Sequence, residues 1–282
     1  MKTIRLLYPD FVSGGLDTYY FGANLLAHIL PENPEQPLFR VPVEAPGKER
    51  ETTEGIHARE EVIKGIENAG SILQDVRPDK VITIGGNCMV SLAPFDYLHG
   101  LYPDTGIIWI DSHPDVSIPE NGYPYAHAMV LASLLGNGDR TLTALVRNGK
   151  FQPDQILYVG LQGLHDYQQQ FLDRLGVDYR IQDREFLSDR EIRDFAGRFS
   201  HVLIHLDIDV LDPAFFHSTY FANPELTGDG SGAGRMSLEE LETILESIAS
   251  SSDIVGFSIA EYLPFDEYRL HQMLSRIRLF TE

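Results

Sequence analysis

The sequence predicts an α/β fold in which a mainly parallel, doubly wound sheet lies between layers of helices. Short apolar runs typical of buried strands alternate with segments of helical periodicity along the whole chain. The most apolar run, Ile107 to Ile110, has no polar alternation, as expected of a strand covered on both faces. The chain has 282 residues, of which 43% are hydrophobic, and no proline- or serine-rich linker divides it. We therefore expect a single domain over residues 1–282.

The N-terminal half alternates predicted strands and helices. The strands are expected at 3–8, 38–43, 80–84 and 107–110. The helices are expected at 19–30, 54–75, from about 90 to 98, and 127–135. Five prolines within 31–50 indicate a segment that is mostly loop. Gly85-Gly86 ends the third strand abruptly and is expected to begin a turn.

The C-terminal half continues the alternation. Its strands are expected at 156–160, 179–181, 202–207 and 253–259. Its helices are expected at 166–175, 188–199, from Ser237 onward, and at the C-terminus, where the pattern is amphipathic. Ser188 is a predicted N-cap, and Ser237 with Glu240 has the spacing of a capping box. The glycine-rich stretch at 215–234, which precedes the helix that starts at Ser237, is predicted to be a long loop.

The composition restricts the partners. The formal net charge is −20, from 42 acidic and 22 basic residues. Such a field repels nucleic acids and anionic membranes and is compatible with a cationic small molecule. A single cysteine excludes an intramolecular disulfide and fits a reducing compartment. No run approaches the ~18 apolar residues of a membrane span, and the first apolar run is too short for a signal peptide. We expect a soluble, cytoplasmic protein.

Two strands end in acidic and imidazole side chains. The run Ile107–Ile110 is followed by Asp111, His113 and Asp115, which leave the chain on one side if the backbone stays extended. The strand near 202–207 has the same construction, with His205, Asp207 and Asp209 in phase before Asp212-Pro213. Carboxylates crowded at buried strand ends are costly to desolvate unless a cation lies among them. The pattern therefore predicts a divalent metal.

Three other strand ends also carry polar residues. They are Asn87-Cys88, Gln162 with His165, and Glu261. In open parallel sheets, ligands bind outside the carboxyl ends of the strands. The sequence therefore predicts one site at this edge of the sheet.

The two acidic motifs resemble those of the arginase, agmatinase and formimidoylglutamase (ureohydrolase) superfamily. The family signatures Asp-Ala-His-x-Asp and Ser-Phe-Asp-x-Asp-x-x-Asp-Pro stand here as Asp111-Ser-His-Pro-Asp115 and His205-Leu-Asp-Ile-Asp-Val-Leu-Asp-Pro213. The resemblance runs from about residue 80 to 265. It implies an arginase-like three-layer fold, a binuclear manganese site with a bridging hydroxide, and a homo-oligomer.

Carried over residue by residue, the resemblance implies the ligands of both ions. Asp111 and Asp207 would bridge the metals, His113 and Asp209 would complete one ion, and Asp115 would bind the other. Hard carboxylates with imidazole suit Mn²⁺.

One position departs from the family pattern. The family sequence Gly-Gly-Asp-His-Ser stands here as Gly-Gly-Asn-Cys88-Met, so a cysteine replaces a ligand histidine. A thiolate favours Zn²⁺, Fe²⁺ or Co²⁺, so one or two ions of these kinds are alternatives to manganese. Cys88 as a metal ligand and Cys88 as a small buried hydrophobe both stay open.

The resemblance also implies the catalytic residues. His127, in Tyr-Ala-His127-Ala-Met, matches a histidine that shuttles protons beside the substrate. Glu261 matches a carboxylate that holds the substrate guanidinium. Asp115 would accept and pass on the proton of the attacking water. His205 replaces the family serine and is expected to support the metal cluster from behind.

These expectations define a leading function and two alternatives. The leading one is a metal-dependent hydrolase of C–N bonds in a guanidino compound, which releases urea or a substituted urea. Residues 160–165 and 216–224 depart from arginase, so plain L-arginine is not favoured; an N-hydroxyarginine-type substrate is one option. The first alternative is a formimidoyl- or acyl-amine hydrolase with one metal. The second is a catalytically inert, metal-binding family member.

Overall fold

A seven-stranded, fully parallel sheet forms the centre of the molecule in a computed structural model that describes residues 1–183, 185–226 and 230–281. The strands are β1 (Thr3–Tyr8), β2 (Leu38–Arg40), β3 (Thr52–Thr53), β4 (Ile56–His57), β5 (Lys80–Gly85), β6 (Thr105–Ile110), β7 (Ile156–Val159), β8 (His201–Asp207) and β9 (Asp253–Ala260). The sheet order is β2-β1-β5-β9-β8-β6-β7, while β3 and β4 pair separately in an antiparallel ribbon. The predicted α/β class with a parallel central sheet is confirmed.

Helices cover both faces of this sheet. They are α1 (Asp17–Ile29), α2 (Arg59–Val76), α3 (Leu92–Leu101), α4 (Val130–Leu134), α5 (Arg140–Ala144), α6 (Asp166–Leu175), α7 (Asp189–Ala196), α8 (Leu238–Ser251), α9 (Phe265–Leu274) and α10 (Arg278–Thr281). In the described residues, no helix is both long and apolar enough to cross a bilayer.

The position of strand β6 between two hydrophobic cores explains why its sequence lacks polar alternation. Ile107 and Trp109 belong to the core under α2 and α3, whereas Ile108 and Ile110 belong to the core under α7 and α8. All of β6 is buried. Successive side chains of a strand point to opposite faces, so a strand covered on both sides must be apolar throughout.

The predicted helix at 54–75 begins later than expected. Residues 52–57 form the small β3–β4 ribbon instead, and α2 starts at Arg59. Glu54 and Ala58 both have a φ of +49°, which is left-handed and cannot continue an α-helix. The acidic residues expected in the first turns of the helix are still there, as Glu60 and Glu61.

The predicted strand at 179–181 is absent, because the side chain of Gln182 occupies the edge of β7. Its Nε2 donates to the carbonyl of Tyr158 at 3.1 Å, and its Oε1 accepts the N–H of Gly160 at 3.1 Å. A side-chain amide thus satisfies backbone groups that a further strand would pair with. Helix α5 was not predicted. Both predicted capping residues, Ser188 and Ser237, do cap α7 and α8 in capping boxes.

Candidate metal centre and active site

The carboxyl ends of four neighbouring strands form the site. In the order β5-β9-β8-β6, these strands present Cys88, Glu261, Asp207 and Asp111 just beyond or at their last residues. All four side chains are at most 3% exposed. The polar edge predicted from the sequence is therefore one buried cluster built by adjacent strands.

The segment after β6 turns immediately rather than continuing extended. The Oδ1 atom of Asp111 accepts the backbone N–H of His113 at 2.7 Å, and Oδ2 accepts the indole N–H of Trp109 at 3.0 Å. Asp115 has a φ of +49°, a conformation that costs free energy for a non-glycine residue and is common at functional sites. Asp111 lies close to both His113 and Asp115, as expected, but a turn of the backbone brings them together. The extended backbone from which this proximity was predicted is not present.

A similar turn follows β8. The Oδ1 atom of Asp207 accepts the N–H of Asp209 at 2.7 Å, and residues 208–210 form a single 3₁₀ turn. This turn carries Asp209 towards β6, where its Oδ1 accepts the hydroxyl of Ser112 at 2.6 Å. Its Oδ2 lies 3.1 Å from Nδ1 of His113. The two acidic motifs are thus joined directly, side chain to side chain.

The donor atoms fall into overlapping groups in which each atom lies within 4.8 Å of the others. One group contains Asp111, His113 and Asp209, and a second contains Cys88, Asp111, Asp115 and His205. A third combines Asp207, Asp209 and Glu261, and a fourth combines Cys88, His127 and Glu261. Asp111 is common to the first two groups, so its carboxylate lies between two potential ion positions.

Burial strongly disfavours the charged forms of these acids. It raises the pKa of Asp111 to about 7 and the pKa of Asp115 and Asp207 well above the ordinary value. Burial opposes the charged forms of Asp209 and His113 as well, but their mutual attraction prevails, so the pKa of Asp209 is lowered and that of His113 is raised well above its usual range.

The donor set fits a divalent metal. Among the described residues that line the pocket, none is a lysine or an arginine. Oδ2 of Asp115 and Nε2 of His113 are buried and have no hydrogen-bond partner. A buried cluster of carboxylates that contains no lysine or arginine, and that leaves an oxygen of Asp115 without a partner, is one that a cation would stabilise.

The thiol of Cys88 lies within the cluster. Cys88 begins a 3₁₀ turn of residues 88–91, and its Sγ donates to Oδ2 of Asp207 at 3.0 Å and to Oε1 of Glu261 at 3.6 Å. Burial and four neighbouring carboxylates raise the pKa of the thiol well above its usual value. A bound cation would reverse this effect, because a coordinating thiol is deprotonated.

The turn that presents Cys88 is held from β1. The Oδ1 atom of Asn87 accepts the N–H of Met89 at 3.3 Å and the hydroxyl of Ser13 at 2.6 Å. The same Oγ of Ser13 lies 2.7 Å from Oδ2 of Asp10, just after β1, and Asp10 is 1% exposed. The sequence analysis did not identify Asp10. Its signal, an acid followed three residues later by serine at a strand end, was available.

A second hydrogen-bonded group lies beside the carboxylate cluster. Nδ1 of His127 lies 2.7 Å from Oε1 of Glu261, and its Nε2 lies 2.9 Å from the hydroxyl of Tyr123. Glu261 has a φ of +60°, and its N–H donates to the carbonyl of Gly86 at 2.9 Å. Glu261, which the family resemblance assigns to substrate binding, and His127, which it assigns to proton transfer, are therefore in direct contact.

The pocket above this cluster has a volume of about 270 Å³. Its walls are rich in aromatic rings that the sequence interpretation did not single out. They are Tyr19, Tyr123, Tyr125, Tyr167, Tyr220 and Phe221. The run Tyr-Pro-Tyr just before His127 was the one local signal for them.

Two predicted residues of the edge do not line the pocket. The amide of Gln162 donates to the carbonyl oxygens of Gly160 and Gln182 at 2.8 and 3.2 Å, so it stabilises a loop. His165 precedes α6, and it is Tyr167 and Gln168 from this helix that reach the pocket. The end of β7 therefore contributes through its helix rather than through its first polar residues.

The fold and the strand-end cluster define a class, an α/β protein with a buried acidic site at the carboxyl ends of its parallel strands. The sequence model of the arginase family matches residues 41–275, and the chain belongs to this family.

Individual proteins of similar sequence agree with this family assignment. An arginase from Staphylococcus aureus is 25% identical over 206 residues, covering 67% of this chain and 62% of that protein. An agmatinase from Halalkalibacterium halodurans is 28% identical over 186 residues, covering 65% of this chain and 55% of that protein. The match thus spans less than two thirds of the length of these relatives.

Solved structures share the fold. The arginase of Entamoeba histolytica, solved in complex with L-ornithine, superposes with a TM-score of 0.77 at 19% identity, covering 94% of this chain and 92% of that one. The arginase of Bacillus caldovelox gives a TM-score of 0.72 at 21% identity, with the same coverage.

Proposed function

We propose that this protein is a metal-dependent hydrolase that cleaves a C–N bond of a cationic guanidino compound in the strand-end pocket. The observation that carries the proposal is the Glu261–His127 pair beside the carboxylate cluster. Neither residue belongs to the two donor groups that share Asp111. A hydrolase needs both a group that holds its substrate and a group that moves protons.

The ligands are assigned from the groups of donor atoms. His113 and Asp209 would hold one ion, Cys88 and Asp115 would face the other, and Asp111, which belongs to both groups, would be shared between them. The family resemblance implies a shared role for Asp207 too, and its contacts with Cys88 and its grouping with Asp209 are consistent with that role. When bound, the metal lowers the pKa of water so that hydroxide is available near neutral pH. Mn²⁺ suits the carboxylates, whereas the thiol favours Zn²⁺, Fe²⁺ or Co²⁺ at its own side.

The chain's own groups account for binding and for proton transfer. Glu261 would hold the guanidinium by charge-assisted hydrogen bonds. Asp115 would accept the proton of the attacking water through its carboxylate. His127 would donate a proton to the departing amine and is connected to Tyr123 through Nε2. Water and the guanidino compound thereby become urea, or a substituted urea, and an amine.

The pocket walls limit the remainder of the substrate. Its described lining has aromatic rings, carboxylates and two histidines, but no lysine or arginine that would bind a substrate carboxylate. Aromatic rings stabilise cations through their π faces and cover apolar groups. We therefore place amine-bearing or alkyl guanidines ahead of L-arginine, with N-hydroxyguanidines as a further option. The relatives include arginases and an agmatinase, so proteins of this family are named for more than one guanidino substrate.

A turnover assay across substrates and metals tests the proposal. The protein is loaded separately with Mn²⁺, Zn²⁺, Fe²⁺ or Co²⁺ and given guanidino, formimidoyl and acyl-amine compounds, with urea and amine release measured. Urea from a guanidino compound is expected, and Glu261→Gln should abolish it without changing the metal content. Turnover of acyl-amines alone would support the one-metal hydrolase, and stoichiometric metal without turnover across the panel would support an inert protein.

A further inference from the structure

We infer that His205 is a direct ligand of the ion beside Cys88, so that the imidazole missing from position 88 is supplied from strand β8. Sequence comparison with the family motif assigned His205 only a supporting role. The inference depends on the proposed function only in that a metal binds, and it concerns a residue that the family motif replaces with serine.

His205 is fixed in one orientation. Its side chain is 0% exposed, and its ring stacks on Trp109 with centroids 3.7 Å apart and planes 13° from parallel. Its Nδ1 lies 2.8 Å from the hydroxyl of Ser91. Both the ring plane and one ring nitrogen are therefore determined by the surrounding protein.

The other nitrogen points into the cluster without a partner. Nε2 of His205 has no hydrogen bond within the described part of the chain, and it lies 3.8 Å from Oδ2 of Asp111. This distance is too long for a hydrogen bond. Leaving such a nitrogen unsatisfied in the core costs about 1–3 kcal/mol. A site that keeps it unsatisfied calls for another explanation.

A cation supplies that explanation. Donor atoms of His205, Cys88, Asp111 and Asp115 all lie within 4.8 Å of one another. Oδ2 of Asp115 is also buried and unpartnered. Two orphaned lone-pair atoms, a thiol and a shared carboxylate thus surround one point. One thiolate, one imidazole and two carboxylates form a donor set that favours Zn²⁺, Fe²⁺ or Co²⁺ over Mn²⁺.

The link between Ser91 and His205 has the form expected of a ligand. Histidines that bind metal almost always use their second nitrogen in a hydrogen bond that fixes the tautomer. Ser91 serves this purpose, and it lies on the same 3₁₀ turn as Cys88. The turn at the end of β5 would therefore contribute one ligand directly and position the other.

Counting bound ions tests the inference without using turnover. The full chain and its variants are loaded with Zn²⁺ or Co²⁺, freed of excess metal and analysed by mass spectrometry for ions per chain. We expect His205→Ser to lose one ion and the double variant Cys88→His with His205→Ser to regain it. In the Co²⁺ protein, the charge-transfer band of the thiolate should also change in His205→Ser. Ser258→Ala is the matched control, because Ser258 lies opposite His205 in register on β9.

The outcomes separate this inference from the proposed function. An unchanged ion count in folded His205→Ser overturns the inference, whatever the activity. Should that variant not fold, Ser91→Ala keeps the ligand and removes its tether; a 10–100-fold weaker Co²⁺ affinity is then expected, and unchanged affinity overturns the inference. Full ion content without turnover in the unmodified protein would refute the proposed function alone.

Discussion

The sulfur of Cys88 lies 3.0 Å from Oδ2 of Asp207, which places a thiol in contact with a carboxylate at the centre of the acidic cluster. Without a metal, this contact is a hydrogen bond from a neutral thiol, whose pKa is raised by burial. In the proposed metal-bound state, the same two atoms would be neighbouring ligands. The identity of residue 88 should therefore determine which ion is preferred.

Replacing Cys88 by histidine should raise the Mn²⁺ content of the protein. Imidazole is a better partner for Mn²⁺ than a thiolate, which prefers softer ions. The measurement is the number of Mn²⁺ ions per chain after equilibration and removal of free metal. Cys88→Ser is the control. Serine is close to cysteine in size but has neither a thiol nor an imidazole, so this variant should not gain Mn²⁺. Unchanged Mn²⁺ content in Cys88→His would show that residue 88 is not a ligand.

Replacing Asp207 by asparagine should abolish metal binding almost completely. The substitution removes charge from a carboxylate that would serve both ions, and it keeps the size of the side chain. Asp212→Asn is the matched control, because Asp212 follows the same strand but binds the N–H of Ala214 at 2.8 Å outside the pocket. Metal analysis of both variants decides the point; full stoichiometry in Asp207→Asn would refute the shared role.

The metal-free protein should lose stability as the pH rises from about 4 to about 7. The folded state holds protons on Asp111, whose pKa is raised to about 7, and on Asp115 and Asp207, whose pKa values lie well above 3.8. The unfolded chain has released those protons above pH ~4, so raising the pH favours unfolding in this window. The raised pKa of His113 acts in the same direction only above about pH 6.5, whereas the pKa of His205, which burial lowers to about 3, opposes part of the loss below that pH.

Thermal unfolding of chelator-treated protein across this pH range measures the effect. Asp111→Asn should reduce the pH dependence, because it removes one of the shifted groups. Metal binding should release protons, so the apparent affinity should rise over the same window. Calorimetry in buffers of different ionisation enthalpy counts these protons, and binding without proton release would contradict the assignment.

Replacing His127 by alanine should lower kcat roughly 100-fold or more, as expected for loss of a proton-transfer group. The metal content should stay the same, because Nδ1 and Nε2 of His127 contact Glu261 and Tyr123. Added imidazole should restore part of the activity. Tyr123→Phe removes one of these contacts and should have a smaller effect. Equal losses in both variants would indicate a role in positioning rather than proton transfer.

Replacing Gly86 by alanine should destabilise the protein by about 1–3 kcal/mol. A Cβ atom at this position would lie 1.8 Å from the carbonyl oxygen of Asp10. Because the carbonyl of Gly86 accepts the N–H of Glu261, any shift should lower activity too. Gly70→Ala is the control; it lies within α2, a Cβ meets nothing within 4 Å, and about 0.5–1 kcal/mol of stabilisation is expected. Chemical denaturation of both variants measures the difference.

The sequence predicted what depends on local pattern. The run Ile107–Ile110 and the acids after it identified a buried strand with a polar end, and the capping boxes at Ser188 and Ser237 identified two helix starts. Parallel pairing then brings the strand ends together without further information. The fold class and the members of the acidic cluster followed from these features.

The remaining features depend on contacts between distant segments. The sequence does not show that a 3₁₀ turn swings Asp209 onto His113, or that the Gln182 amide replaces an edge strand. The aromatic pocket walls come from several separate segments, so no single motif reveals them. The free Nε2 of His205 is likewise a property of packing, since Trp109 and Ser91 fix the ring.

Asp115 and Glu261 both stand on left-handed backbone, with φ of +49° and +60°. Glycine and asparagine occupy this region at the lowest free-energy cost, and neither carries a carboxylate. Substitution by glycine or asparagine at either position would relieve the backbone strain. It would also remove a charged group from the pocket while leaving the sheet intact. Inactive descendants of this protein should accordingly accumulate glycine or asparagine at these two positions before they lose their core.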